Sequence, residues 1–374
     1  EIMLIGVPKE IKDNEFRVGL VPSSIRELIS HGHSVVAETQ AGAGIGYTDA
    51  DYQQAGAEIV DRAEDVFALA EMLVKVKEPQ AAERKMLREN QILFTYLHLA
   101  PDPDQTKDLI SSGSTCIAYE TVTSQTGSLP LLAPMSEVAG RMSVHAGAHC
   151  LEKAGGGRGM LLGGVPGVRP ANVAVLGGGM VGSNAIFIAL GMGANVAVLD
   201  RNVDVLRRLT DRFGPALKTV FALQDVVHEY AVWADLLIGA VLVPGAEAPM
   251  LVSEDMVKKM KPGAAIVDVA IDQGGCIATS RATTHADPTY IEHDVVHYCV
   301  ANMPGAVPHT STYALNNSTL PFTLALANKG VRSAMQEDEH LRNGLNVHAG
   351  KVTCSAVAES LELDYIDALS ALGV

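Results

Sequence analysis

The sequence is poor in the features that mark membrane, nucleic-acid-binding and disulfide-stapled proteins. Its longest apolar stretches, such as Ala234–Pro244, contain Asp or Gly and fall short of the roughly 20 apolar residues that a spanning helix needs. Positive charge is scarce. Lys and Arg number 28 against 43 Asp and Glu, a formal net charge of −15, which a duplex or an anionic membrane surface repels. No basic run stands against that field. The five cysteines (Cys116, Cys150, Cys276, Cys299 and Cys354) are scattered and form no C-x-x-C pair, as suits reduced thiols in a cytosolic protein. The first residues, Met3–Pro8, read as a short apolar strand that meets Lys9, Glu10 and Lys12, the pattern of neither a signal peptide nor a span. Low-complexity tracts and fixed-period repeats are missing as well. The expectation is a cytoplasmic protein with neither nucleic-acid nor membrane partners.

What is present is an ordinary globular balance over 374 residues, enough for two domains with separate cores. Short β-like runs at Met3–Val7, Ser34–Glu38, Glu71–Val76, Ile92–Leu97 and Cys116–Glu120 alternate with helical stretches, which implies a parallel sheet covered by helices. A long helical pattern from Ser136 to Lys153 ends in Ala154-Gly155-Gly156-Gly157. A boundary is expected near Pro134 or in the Gly/Pro-rich connector Gly163–Pro170. A second α/β series has strands at Asn172–Leu176, Asn195–Leu199, Asp235–Ala240, Ala264–Val269 and Val295–Val300. Beyond Pro308 the pattern is helical over Ser311–Gly330 and then helical and polar to Val374. That tail has no place in the second series, so it is expected to return to the first domain. The expected division is 1–134 with 306–374 around a nucleotide-binding domain at 135–305.

Val173–Leu176 runs directly into Gly177-Gly178-Gly179-Met180-Val181-Gly182 and then a helix through Ala185, Ile186 and Ala189. This is G-x-G-x-x-G between strand and helix, where the glycines serve the turn, the approach of backbone to a pyrophosphate and the packing of helix on strand. The helix N-terminus adds free N–H donors. The next strand ends in Asp200, placed to accept hydrogen bonds from ribose hydroxyls and to repel a 2′-phosphate, which favours NAD over NADP. Arg201 beside it is a candidate phosphate ligand that pulls the other way. A purely structural Gly-rich turn is the alternative.

Arg17, Lys77 and His98 fall at or beyond the carboxyl ends of predicted strands, where open α/β sheets bind ligands. The two cations suit a carboxylate, and the imidazole titrates near neutrality and so can pass a proton. From position alone, solvated surface is the commoner setting for a loop Arg or Lys, and a structural hydrogen bond the commoner role for a strand-end His. Asp268 and Asp272 punctuate an apolar strand end beside Gly274-Gly275. Asp268 is expected to satisfy backbone N–H groups in the turn, and Asp272 to reach further into a cleft. His145/His149, and less convincingly His293/His297, have the i, i+4 spacing of helical metal ligands but lack the glutamate and third ligand of a zinc motif, so no metal is expected.

The chain resembles the bacterial alanine dehydrogenase family, which includes the NAD-binding subunit of proton-pumping transhydrogenases, from about Ile5 to Val347. The resemblance rests on Gly6–Glu10, Glu15–Val18, Val74–Pro79, Thr95–Leu99, Gly163–Val168, Val173–Gly182, Gly239–Gly245, Asp268–Gly275, Asn302–Pro308 and Ala314–Asn317. It implies two Rossmann-like doubly wound domains with an interdomain cleft. It further implies that Arg17 and Lys77 bind the carboxylate of L-alanine or pyruvate, that His98 is the acid/base, and that Asp272 assists in the carbinolamine stage, where ammonia leaves. Ser136, Gly177–Gly182, Asp200, Val241, Leu242, Val269, Asp272, Asn302 and Met303 would line NAD, and the assembly would be a homo-oligomer, commonly a hexamer. Family members often carry Lys and Ser where Val205 and Ala222 stand here. Two rivals stay open: the transhydrogenase subunit, against which an intact Arg17/Lys77/His98 set argues, and a non-catalytic NAD-binding protein.

Overall fold

The structure, a computed structural model, describes residues 2–242 and 247–374. Val243, Pro244 and Gly245 of the Gly239–Gly245 motif lie outside the described residues. The chain divides into two compact units, Glu1–Met135 with Val307–Val374, and Ser136–Ala306.

In the first unit the strands are β1 (Leu4–Val7), β2 (Ser34–Glu38), β3 (Glu58–Val60), β4 (Met72–Val74), β5 (Ile92–Thr95) and β6 (Thr115–Ala118). The second unit holds β7 (Asn172–Leu176), β8 (Asn195–Asp200), β9 (Leu217–Phe221), β10 (Leu236–Gly239), β11 (Ala265–Asp268), β12 (Thr289–Glu292) and β13 (Val295–Tyr298). The chain then returns to the first unit with β14 (Leu345–His348) and β15 (Lys351–Val352). Among the described residues the sheet orders are β15-β14-β6-β5-β4-β1-β2-β3 and β12-β13-β11-β10-β7-β8-β9. Strands β1–β6 run parallel, as do β7–β11 and β13, while β12 is antiparallel to β13. Leaving β12 aside, both sheets grow outward in two directions from their first strand. Each therefore reverses direction beside that strand, between β1 and β4 and between β7 and β10. Such a reversal leaves a crevice at the carboxyl ends of the strands.

The central strands are apolar because helices cover both faces. β4, β10 and β11 are buried throughout, and Val173, Val175, Val196, Val198, Ile238 and Val267 join the helix Met180–Gly191 in one core cluster.

Several expectations need correction. The expected strands omit β3, β9 and β12, which lie at or next to sheet edges, carry Glu, Lys and Thr, and are only partly buried. They lack the continuous apolar run that marks a buried strand. The polar tail is not wholly helical: β14 pairs antiparallel with β6, with a register shift between Leu345 and Val347. His293 and His297 do not share a helix. His293 lies in the β12–β13 turn and His297 in β13, where its ring nitrogens bond Thr279 Oγ1 at 2.7 Å and the Val295 carbonyl at 2.9 Å. The long helix runs Ala133–Cys150, three residues earlier than expected at each end. No described helix is long and apolar enough to cross a membrane.

Candidate active site

In the second unit the loop after β7 is shaped by its glycines. Gly177 has φ +97, and a Cβ there would lie 2.9 Å from the Ala240 carbonyl oxygen and from Val241 Cγ2, so a side chain would collide with the end of β10. Gly182, on the first turn of the helix, would bring its Cβ to 1.8 Å from the Gly177 carbonyl oxygen; only Gly lets that helix start so close to the strand end. Gly179 precedes the helix, and a Cβ there would meet no atom of the described residues within 4 Å. Gly179 thus leaves open space, among the described residues, before a twelve-residue helix, whose first N–H groups have no partner within the helix and suit an anion.

Asp200 ends β8 and accepts the Gly178 N–H at 2.7 Å and the Asn202 N–H at 2.8 Å. It is tied to the loop from below while its residue stays part-exposed. Arg201 turns its Nε to the Ala222 carbonyl at 3.2 Å.

Asp268 is fully buried and accepts Ser280 Oγ at 2.7 Å, the Cys276 N–H at 3.0 Å and the Ala270 N–H at 3.2 Å. Burial pushes its carboxyl above the usual range, against these bonds. It fixes the tight turn Val269–Gln273, on which Asp272 is exposed. Asp272 Oδ1 accepts the Asn302 N–H at 3.3 Å. Asn302 has φ +61, and Met303 is buried after it. Val241, Leu242, Val269, Asp272 and Asn302 therefore follow the carboxyl ends of β10, β11 and β13, and Gly177 and Asp200 those of β7 and β8. Ser136 is partly buried near the start of its helix.

In the first unit Arg17, Lys77 and His98 follow the carboxyl ends of the neighbouring strands β1, β4 and β5. Arg17 is no surface residue: it is 2% exposed. Its Nε and Nη2 grip Glu15 Oε1 and Oε2 at 2.6 and 2.7 Å, and Nη1 lies 3.2 Å from Met135 Sδ. The edge best shaped for two parallel bonds is thus engaged by Glu15. Burial opposes the charge of both partners, but the pairing outweighs it, holding Glu15 below and Arg17 above their usual ranges. Lys77 is also largely buried, its Nζ 4.0 Å from Glu78 Oε2. Burial pulls its ammonium below the usual lysine range, against the attraction of Glu78 and helped by the charges of Lys12 and Arg17.

His98 is exposed. Its backbone is left-handed, φ +50, an uncommon conformation for a residue with a Cβ. Its ring stacks on Tyr96 with centroids 6.1 Å apart. Glu120 Oε1 accepts the His98 N–H at 2.6 Å and both its oxygens reach the Leu97 N–H at 3.2 Å, a concave pair of amides that suits an anion. Glu15 and Glu120 went unnoticed in the sequence. Glu15 had a signal, an acid two residues from the candidate arginine. Glu120 had none, because its partners are 22 and 23 residues away and meet it only through the β5–β6 pairing.

The second unit thus offers free helix-start amides with an acid at the next strand end, and the first unit two largely buried cations and an imidazole after the carboxyl ends of its strands. The chain belongs to the alanine dehydrogenase/PNT family. Residues 6–139 match the pattern "Alanine dehydrogenase/PNT, N-terminal domain" and residues 143–355 the corresponding C-terminal domain. It is 57% identical over 371 residues to an alanine dehydrogenase of Halomonas elongata, covering 99% of this chain and all of that one. Among solved structures it is similar to an L-alanine dehydrogenase, with TM-score 0.94, 53% identity, and 96% and 99% of the two chains covered. A transhydrogenase from Sinorhizobium meliloti is also similar, with TM-score 0.81, 25% identity, and 94% and 99% covered.

Proposed function

We propose that this protein is an NAD-dependent L-alanine dehydrogenase, interconverting L-alanine, water and NAD⁺ with pyruvate, ammonium and NADH. The observation that carries the reading is the set Arg17, Lys77 and His98 after the carboxyl ends of the neighbouring strands β1, β4 and β5, in a chain 57% identical to a relative bearing that name.

The residues of the second unit fit the cofactor. The Gly179–Val181 amides would hold its phosphates, Asp200 the adenosine ribose, and Ser136, Val241, Leu242, Val269, Asp272, Asn302 and Met303 would line the remainder. When bound, NAD⁺ supplies the acceptor for the hydride of the alanine α-carbon. The rest falls to side chains. Arg17 and Lys77 fix the substrate carboxylate, so that the α-carbon has one orientation. The substrate ammonium first gives up a proton to solvent, and the nitrogen lone pair so freed allows hydride to leave and an iminium carbon to form. Water adds to that carbon while His98 takes the water's proton, and the ammonia released later regains a proton from solvent as ammonium. The same imidazole returns a proton to the amine as ammonia leaves, with Asp272 assisting, and the hydroxyl proton is released as the pyruvate carbonyl forms. An exposed imidazole suits this work because it can exchange protons with solvent between turnovers.

The reading extends to a cytoplasmic setting, supported by five free thiols, and to a homohexamer, supported by family membership. The test is reduction of NAD⁺ by the purified protein with L-alanine. We expect NADH and pyruvate in equal amounts. Failure of alanine to reduce NAD⁺, with transfer of hydride to NADP⁺ once a partner protein is added, would instead establish the transhydrogenase reading.

A further inference from the structure

Below the Lys77 turn lies a charged cluster that the chemistry above does not use. Lys75 has no exposed surface, and Glu10 and Glu83 are almost as buried. Lys75 Nζ donates to Glu10 Oε2 and Glu83 Oε1, both at 2.9 Å. Burial opposes the ammonium, but the two carboxylates outweigh it and hold Lys75 protonated. Such triads seldom persist for stability alone, since neutral replacements of similar volume often fold as well or better. The second oxygens of the two acids suggest what this one does.

Glu10 Oε1 accepts the Val76 N–H at 2.6 Å and the Lys77 N–H at 3.3 Å. Glu83 Oε2 accepts the Gln80 N–H at 2.7 Å. The Lys77 carbonyl accepts Thr95 Oγ1 at 2.8 Å. The turn from Val76 to Gln80 is therefore gripped at both ends by carboxylates that share one ammonium, and Lys77 is held on its N–H side by Glu10 and on its C=O side by the end of β5. Glu10 follows β1 and Lys75 follows β4, so the clamp lies across the strand-order reversal of the first sheet. We propose that Glu10, locked by Lys75 and Glu83, is a positioning residue that sets the backbone of Lys77 and so the grip on the substrate carboxylate. This rests on the reading of Lys77 as a carboxylate anchor.

The test is a split between KM and kcat in pyruvate amination. Glu10→Ala strands two amides that need an acceptor, so KM for pyruvate should rise about tenfold or more while kcat changes less than about threefold. NADH affinity should not move. In a Lys77→Ala background the same change should add less than about twofold, because a residue acting through Lys77 has nothing left to position.

Should Glu10→Ala fail to fold, the comparison moves to a neutral background, Lys75→Met with Glu83→Gln, carrying either Gln or Ala at position 10. These two proteins differ in the acceptor rather than in charge. The Gln form should keep KM within about threefold of wild type and the Ala form should not. The positioning role is overturned if Glu10→Ala lowers the melting temperature or active fraction at unchanged KM, or if its KM effect persists in full without Lys77. If Lys77→Ala itself leaves KM for pyruvate unchanged, it is the anchor reading that falls.

Discussion

The two units repeat one strand order and equip its reversal point in opposite ways. In the second unit the reversal between β7 and β10 is bare backbone. Gly177 lies so near the Ala240 carbonyl that a Cβ would approach to 2.9 Å, and the helix begins at once at Met180. In the first unit the reversal between β1 and β4 is filled with side chains, Glu10 reaching across to Lys75, Val76 and Lys77. There β1 is followed by a long loop, and its helix begins only at Pro22. That helix has no side-chain cap of its own; the Val21 N–H is accepted by Asn316 Oδ1 at 2.9 Å. A short glycine turn offers amides and a helix end to an anion of any kind. A long loop offers room for chosen side chains, which is what proton transfer and carboxylate recognition require. On the proposed reading, one fold provides a cofactor seat or a chemical site, depending on the loop after its first strand.

Removing His98, the proposed acid/base, should have the largest effect. His98→Ala should lower turnover by about 10²–10⁴-fold, with NADH affinity kept, as steady-state kinetics and NADH fluorescence would report. Near-wild-type turnover would remove His98 from the mechanism and leave the cofactor seat untouched.

Arg17 comes next, and the structure alters how it should be tested. Arg17→Ala would leave the Glu15 carboxylate, 1% exposed, buried without its guanidinium, a loss of about 3–5 kcal/mol in stability mixed with any loss of substrate. Arg17→Lys keeps the charge and loses the fork. It should raise KM for pyruvate while denaturant midpoints fall far less than in Arg17→Ala. The same pair gives an acid dependence. Glu15 is held below its usual value near 4.5, so its contribution to stability is complete above that value and is lost as pH falls through the lower folded-state pKa. In Arg17→Ala this contribution should vanish.

Two glycine variants sharpen the other half. Gly182→Ala forces a Cβ against backbone at 1.8 Å and should disorganise the loop, lowering both stability and NADH affinity. Gly179→Ala meets nothing among the described residues, so the melting temperature should hold while NADH affinity falls about tenfold, the equivalent of about 1.4 kcal/mol. Equal stability losses in the two would contradict the geometry of the loop.

The smallest effect expected is a pH trend. Because Lys77 loses its proton below the usual lysine value of 10.5, KM for pyruvate should begin to rise with pH before an ordinary lysine would titrate, and Lys77→Arg should abolish that early rise.

Legibility in the sequence followed the same divide. The glycine loop, β7, β8 and Asp200 could be read directly, since their signals are local: one apolar run, one turn, one acid at the next strand end. The buried parallel strands were legible for the same reason; the edge strands β3, β9 and β12 were not, because half-exposed polar strands look like loops, and nor was the buried β14, whose Asn346 and His348 interrupt its apolar run. In the first unit the residue types were visible but their settings were not. Nothing local says that Arg17 is buried, that Glu120 holds the left-handed peptide of His98, or that Lys75, rather than Lys77, is the fully enclosed lysine of Val74-Lys75-Val76-Lys77. Those facts come from contacts between distant segments, 22 residues apart for His98 and Glu120, 65 for Lys75 and Glu10, and 118 for Arg17 and Met135.

The division of labour between the two units is tested most directly by titrating NADH into His98→Ala and Gly179→Ala side by side and measuring pyruvate turnover on the same samples. His98→Ala should bind NADH as wild type does but scarcely turn over, and Gly179→Ala should lose NADH affinity and recover turnover at saturating NADH. If His98→Ala lost NADH affinity in proportion to its turnover, the chemistry and the cofactor seat would not be separate, and the division of labour would be contradicted.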